Sequence, residues 1–555
     1  MMFLSSSTRR SALVSLLLSW SLGVHAQAAV SAPAEAAAPA PRFDILEYEV
    51  HGNTVLPAIA IEQAVTPFLG PDRTIADVES ARAALEKLYQ NLGYLTVFVD
   101  LPEQRVDQGV VQLKVLEGRV QRLSVSGSRY FSQGYIREKV GEFADGQVPN
   151  FNVAQAQLAL VNRTEDRRVQ PVLRQGTLPG TVEVELKVTD ELPFTTSVEV
   201  NNDHAQYTDA VRVQVNGTYS NLFQRDHSLS LTAITAPTAP EQSSVLVLGY
   251  TVPLDSGSSV SFNGVFSNSN VETLGGNASV GSGTTLGVHY LVPLGSTAES
   301  QHSLSLGLEY KDVDETTDIS VPLKYAPLSA SYNGAWFGAG GRQTTATASM
   351  LAAFRKVLDR QVDCMSSDGL PLDQFACKRY GGDGGFVRFN LDVRHTEPFV
   401  SGTSLGLRLA GQFADQPLIS GEQFSIGGAE QVRGYYEGEG SGDRGAMGSF
   451  EFRGPNWSSW ANRQAGLGAE GEGGAQTWSL NRLAVHGFVD AGQTNTLMPL
   501  IGQQHRTPLL STGFGVRAGA RGGFEAGLDL AWPLKLTSAT PDHGVRAHAR
   551  ARLRF

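Results

Sequence analysis

The sequence predicts a mostly β chain: a transmembrane antiparallel β-barrel of about 16 strands, preceded by two small α+β modules. Three observations carry this expectation. An export signal opens the chain, a two-fold repeat with helical periodicity follows it, and beyond Pro193 a two-residue alternation takes over and runs to a C-terminal Phe555.

Arg9 and Arg10 precede an apolar run over residues 12–24, and Val24-His25-Ala26 offers a small-residue cleavage site, so residues 1–26 read as a signal peptide. Residues 27–42 are rich in Ala and Pro, a composition that favours an extended tether. Past that point no apolar run reaches the length of about 18 residues that a transmembrane helix needs, yet short alternating strands can still span a membrane as a closed barrel. Charged residues make up 18% of the chain, glycine is abundant at 60 residues, and the formal charge of −11 argues against a nucleic-acid binder, which needs a Lys and Arg surplus. Cys364 and Cys377 lie close together in a polar segment of an exported chain, so a structural disulfide is expected between them. The further ligands that a metal site would need are missing.

Two modules are expected at 43–118 and 119–192. Val50-His51-Gly52-Asn53 recurs as Val125-Ser126-Gly127-Ser128, each after a short apolar strand. The copies also close alike, with Gly109 leading into Val111, Leu113 and Val115, and Gly180 into Val182, Val184 and Leu186. Between these strands the pattern is helical. Thr74 and Asp77 form a capping-box signature ahead of Ile75, Val78, Ala81, Leu85, Leu88 and Leu92, with Gly93 as the stop. In the second copy Asn152 is expected to start a helix that runs through Val161. The order is β-α-α-β-β, twice.

Residues 193–555 are expected to form the barrel. Val387, Phe389, Leu391 and Val393 alternate with Arg388, Asn390, Asp392 and Arg394. The last strand sets Val545, Ala547, Ala549, Ala551, Leu553 and Phe555 against Arg546, His548, Arg550, Arg552 and Arg554, and such a cationic face suits a wet lumen. By the same parity His486, Phe488 and Asp490 share one face, so Asp490 should project into the lumen. Arg433 sits in a Gly-rich loop that can fold sharply inwards. A barrel of this width cannot be filled by its own wall side chains, so something must plug it.

At this point the chain resembles the two-partner secretion transporters, the TpsB branch of the outer-membrane assembly superfamily. Val432-Arg433-Gly434-Tyr435, after Phe424-Ser425-Ile426-Gly427-Gly428, is similar to that family's motif at the tip of its sixth loop. Phe488-Val489-Asp490-Ala491-Gly492 is similar to its wall-strand motif. Further echoes are Asn221-Leu222-Phe223, Tyr250-Thr251-Val252-Pro253-Leu254, Tyr290-Leu291-Val292-Pro293-Leu294 and Val169-Gln170-Pro171-Val172-Leu173. The modules resemble the family's polypeptide-transport-associated (POTRA) domains, and the terminal Phe555 resembles its assembly signature. The resemblance implies that Arg433 meets Asp490. It also implies an outer-membrane translocator in a Gram-negative bacterium, with its POTRA domains in the periplasm. Its partners would be a secreted exoprotein with an N-terminal transport domain, outer-membrane lipid and the barrel-assembly machinery; it would be a monomer and bind no nucleic acid. The tether is short for the plug helix that some members place in the lumen.

Enzyme readings are weaker. Gly402-Thr403-Ser404-Leu405-Gly406 matches a nucleophile elbow, but an elbow needs a strand followed by a helix, and here strands flank Ser404, which reads as a hairpin-turn residue. Gly513-Phe514-Gly515-Val516-Arg517-Ala518 mimics a dinucleotide fingerprint without a βαβ unit around it, and reads as a barrel strand. No catalytic residue, cofactor or metal is expected. The competing functions are an insertase for other barrels and an outer-membrane barrel hydrolase.

Overall fold

The computed structural model describes residues 41–106, 108–269, 282–315, 321–358, 360, 362–366, 368–466 and 479–555. The expected signal peptide and nearly all of the tether lie outside the described residues. Among the described residues no helix is long and apolar enough to cross a membrane.

In the first module Glu47–His51 runs parallel to Val110–Glu117, which pairs antiparallel with Val97–Asp100. Helices Ala58–Val65 and Ile75–Asn91 bury Ile61, Val65, Val78, Ala81 and Leu85, the positions that the 3.6-residue period selects. Asp77 accepts from both the backbone N–H and the hydroxyl of Thr74 at 2.8 Å. Those hydrogen bonds hold its carboxyl below the usual carboxylate range. A small extra pair, Phe43–Ile45 with Gly70–Arg73, was not expected.

The second module repeats the order. Arg119–Ser126 runs parallel to Thr181–Asp190, Arg167–Gln175 pairs antiparallel on the other side, and helices Gln133–Lys139 and Phe151–Val161 complete the unit. Here one expectation is corrected: the cap is Asn150, not Asn152. The Asn150 side chain accepts from the N–H groups of Asn152 and Val153, and the helix starts at Phe151, whose ring packs edge-on against Phe143. The repeated glycine has one explanation in both copies. Gly52 and Gly127 have φ of 89° and 82°, and a Cβ there would overlap the carbonyl oxygen of Val115 or Val188.

From Phe194 the chain closes into a barrel of sixteen antiparallel staves. One stave is broken: Val321–Tyr325 and Leu328–Phe337 both pair with Ser300–Glu315, and the gap holds Pro327, which has no N–H to give the ladder. Outward positions such as Leu229, Leu231, Leu246, Leu248 and Phe262 are exposed apolar residues, as a lipid-facing band requires. Ser404 is the first residue of the stave Ser404–Ala414, opposite Pro398, rather than a turn residue, because the turn is completed at Thr403. Closure joins Arg546–Arg554 to Phe194–Asn201 through five register pairs, against eight on either side. Asn202 lengthens that seam with its side chain, which accepts from Ala549 N–H and donates to the Ala547 carbonyl, both at 2.8 Å. Phe555 adds its backbone, donating to the Thr196 carbonyl at 2.9 Å, while its ring is exposed.

The second module is bolted to the foot of the barrel. Arg167, with its side chain 1% exposed, forks onto Asp226 through two bonds of 2.9 Å and lies over the Phe131 ring. Asn221 and Gln224 both donate to the Tyr130 carbonyl, and Lys139 pairs with Asp255 one turn further on. Breaking a buried ion pair by removing one partner costs about 3–5 kcal/mol. Arg167→Ala is therefore expected to leave a heat-modifiable barrel while protease cleaves the junction near residue 192 faster than in the parent chain, as limited proteolysis in detergent would measure.

Candidate functional site

Between staves Ser404–Ala414 and Arg444–Arg453, residues 415–443 turn into the lumen instead of standing out from the barrel. A short hairpin, Phe424–Ile426 with Gly440–Gly442, forms the stem. Two buried carboxylates hold its roots. Glu422 accepts from Lys311, Arg388 and the Tyr325 hydroxyl at 2.7–2.8 Å, and Asp443 accepts from the N–H groups of Leu418 and Leu497 at 2.8 and 2.6 Å.

The tip carries Val432, Arg433, Gly434 and Tyr435, and each has a distinct seat on the wall. Arg433 donates through Nε and Nη2 to the two oxygens of Asp490, at 2.7 and 2.9 Å, and its backbone N–H adds a third bond of 3.1 Å to the same carboxylate. Nη1 reaches Glu451 at 2.8 Å, and Ser449 donates to Asp490 at 2.6 Å. The guanidinium carbon stands 3.4 Å from the centroid of the Phe488 ring, a cation–π stack. The Asp490 side chain is 0% exposed and that of Arg433 6%, so both charges are withdrawn from bulk water and compensated in place.

Gly434 has φ of 92° and donates to His548 Nε2 at 2.9 Å, which assigns the His548 proton to Nδ1. The Tyr435 hydroxyl fills the position where the staves Arg506–Ala520 and Phe524–Pro533 part. It accepts from the N–H groups of Leu510 and Lys535 at 3.2 Å and lies 2.8 Å from both of their carbonyl oxygens, one of which takes its proton. Val432 is fully buried among Phe424, Ile426, Met447 and Leu509. Gly492 makes that possible: a Cβ there would stand 3.1–3.3 Å from Ile426, Met447 and Val432.

The stave Leu480–Asn495 buries His486, Phe488 and Asp490 while Val485, Val489 and Ala491 face out. The sequence pattern alone did not single out Ser449, Glu451, His548 or Asp529, which stands 3.7 Å from Arg433 Nη1, as partners of the loop, nor the role of Gly513 and Gly515. Those glycines stand opposite Phe488 and His486 in register, and a Cβ on either would overlap the neighbouring ring. Lumen parity on the stave Arg444–Arg453 would have nominated Ser449 and Glu451.

Cys364 and Cys377 are disulfide-bonded, with Cα atoms 5.8 Å apart, in the loop between staves Gln343–Ala352 and Val387–Pro398. That loop folds onto the mouth. Gln374 bonds both the N–H and the carbonyl of Lys324, and Phe375 and Phe386 pack with Tyr325, Leu418 and Ile419, two of which belong to the inward loop's root. Phe555 lies at the closing seam, where its backbone pairs with Thr196. Among the described residues no group of three His, Cys, Asp or Glu side chains is arranged to hold a metal.

Filling the Gly492 cradle tests how the loop is seated. Gly492→Val is expected to leave the barrel folded, by heat-modifiable mobility, but to raise the frequency and size of open events in planar-bilayer recordings, because Val432 and Ile426 lose their seat. Unchanged recordings would count against this packing.

Known proteins share this fold. The profile of the haemolysin secretion/activation protein family ShlB/FhaC/HecB matches residues 180–518, and that of the ShlB-type POTRA domain matches 43–118. The heme/hemopexin transporter protein HuxB of Haemophilus influenzae is 22% identical over 394 residues, 70% of this chain and 67% of that protein. The outer membrane transporter CdiB of Dickeya dadantii is 22% identical over 451 residues, 78% of this chain and 75% of the relative. The solved structure of CdiB from Escherichia coli superposes with a TM-score of 0.62 at 17% identity, covering 95% of this chain and 93% of that one. The barrel lies in the outer membrane of a Gram-negative bacterium with its POTRA region in the periplasm. The chain belongs to the ShlB/FhaC/HecB haemolysin secretion/activation family, the outer-membrane translocators that deliver partner exoproteins in two-partner secretion.

Proposed function

We propose that this chain passes its exoprotein unfolded through the barrel lumen, without nucleotide hydrolysis, and that the inward loop is the latch that closes the resting channel. The observation that carries this reading is the Arg433–Asp490 fork. A loop that must only plug the lumen could do so with apolar packing, whereas a paired charge lets go once a competing partner or water reaches it. The exoprotein's N-terminal transport domain would be captured in the periplasm by adding an extended segment to a POTRA sheet edge. The strand Arg167–Gln175 suits this role: the Asn162 side chain caps Val169 at 2.6 and 2.9 Å, and further along the same strand Leu173 is exposed. The family's description as haemolysin secretion/activation proteins favours a haemolysin-type exoprotein as the cargo class here, with an adhesin as the alternative.

The test separates secretion from assembly. Arg433→Ala and Asp490→Ala should each cripple secretion while the barrel still inserts, with a local penalty of about 3–5 kcal/mol where the site is dry. Arg433→Lys should rescue only partly, since an ammonium cannot make the two-pronged bond. In a double-mutant cycle the two positions should be strongly coupled. Normal export from both single variants, or independent effects, would sink the latch.

A further inference from the structure

The lumen wall has two unlike arcs. On the third to fifth staves, His227–Thr235, Ser243–Pro253 and Ser259–Ser269, on the Leu328–Phe337 part of the eighth and on the ninth, the inward positions are uncharged and mostly small, Ile234 and Leu351 being larger. Examples are Ser230, Thr232, Asn263, Ser331 and Ser349, which are half-buried, and Thr347, which is exposed; the sequence neighbours of each stand on the lipid-facing side. The polar groups of several are engaged within the wall. Thr232 donates to Asn216 at 2.8 Å, Asn263 lies 3.1 Å from His289, and Thr347 donates to Asn333 at 3.0 Å. Charge enters this arc chiefly on the seventh stave, where Lys311 is already held by Glu309 and Glu422.

The opposite arc, from the tenth stave to the sixteenth, carries the ionic groups, and the tip of the inward loop lies on it, while the loop's root reaches Lys311 and Tyr325 at the mouth of the seventh and eighth staves. Arg408 binds Asp392 and the Glu430 carbonyl, Arg550 binds Glu430, and Arg433 takes Asp490 and Glu451. The neutral arc is also the one that stands above the second POTRA domain. Its foot is formed by the turns that hold Asp226 and Asp255, the partners of Arg167 and Lys139.

We infer that the exoprotein crosses in extended form along the neutral Ser/Thr/Asn arc, opposite the charged arc on which the tip of the inward loop lies. The inference rests on the translocator function. A moving chain presents every kind of side chain in turn. Fixed wall charges would hold or repel some of them, whereas hydroxyl and amide groups exchange hydrogen bonds with water at small net cost. Small side chains leave the space open, and the arc continues directly from the docked POTRA domain.

The experiment uses the full chain in its host. The exoprotein is identified as the protein that leaves the culture supernatant when this chain is deleted, and it is stalled by fusing a disulfide-closed domain to its C-terminus. A photo-cross-linking amino acid is placed at Thr232, Asn263 or Thr347, and on the other arc at Arg394 or Arg482. Adducts with the stalled exoprotein should be several-fold more abundant from the first three positions. Thr232→Arg combined with Asn263→Arg should lower secretion several-fold with the barrel inserted, while Arg482→Thr should not. Equal adducts from both arcs, adducts from the charged arc alone, or none in a secreting strain would overturn the inference and leave the translocator function standing. If no secreted protein depends on the chain, both fall.

Discussion

A guanidinium withdrawn from water inside a channel is the constraint that organises this molecule. Arg433 must reach a carboxylate, and the carboxylate must stand at lumen parity on a stave that the loop can approach. From this follow the φ of 92° at Gly434, the backbone bond that brings the tip down on Asp490, and the flat ring of Phe488 beneath the cation. Even the glycines across the neighbouring stave belong to the same requirement, since the rings of Phe488 and His486 need the space that Gly513 and Gly515 leave free.

The latch is strong but local. Its roots are tied separately, by Glu422 on one side and Asp443 on the other, and the disulfide-closed outer loop packs against the same roots through Phe375 and Phe386. A loop anchored at both ends and held at the tip by a few directional bonds can release the tip without unravelling. On the proposed latch reading, such division lets the tip of the loop move while the barrel that carries it stays in place.

Much of this was legible in the chain. Alternation placed Asp490 inward because a strand's side-chain period is two, a property that needs no partner strand. The paired repeat exposed both modules because a glycine at positive φ is demanded twice by the same backbone contact. What stayed hidden depends on register between distant strands. Ser449 meets Asp490 across a ladder whose offset no single strand records, and the glycines opposite Phe488 and His486 acquire meaning only once that offset is known. The cap at Asn150 was missed for a smaller reason: two asparagines in the same short stretch both suit a helix start, and only backbone geometry tells which stands outside the first turn.

The closing seam has a consequence of its own. The ladder of the closing seam stops at five register pairs, and beyond it the amide side chain of Asn202 supplies the next two links. A main-chain link yields only when a strand leaves its neighbour, but a side-chain link yields when one asparagine rotates. Opened at this junction, the barrel would be a curled sheet with two bare edges. Such a sheet associates readily with copies of itself.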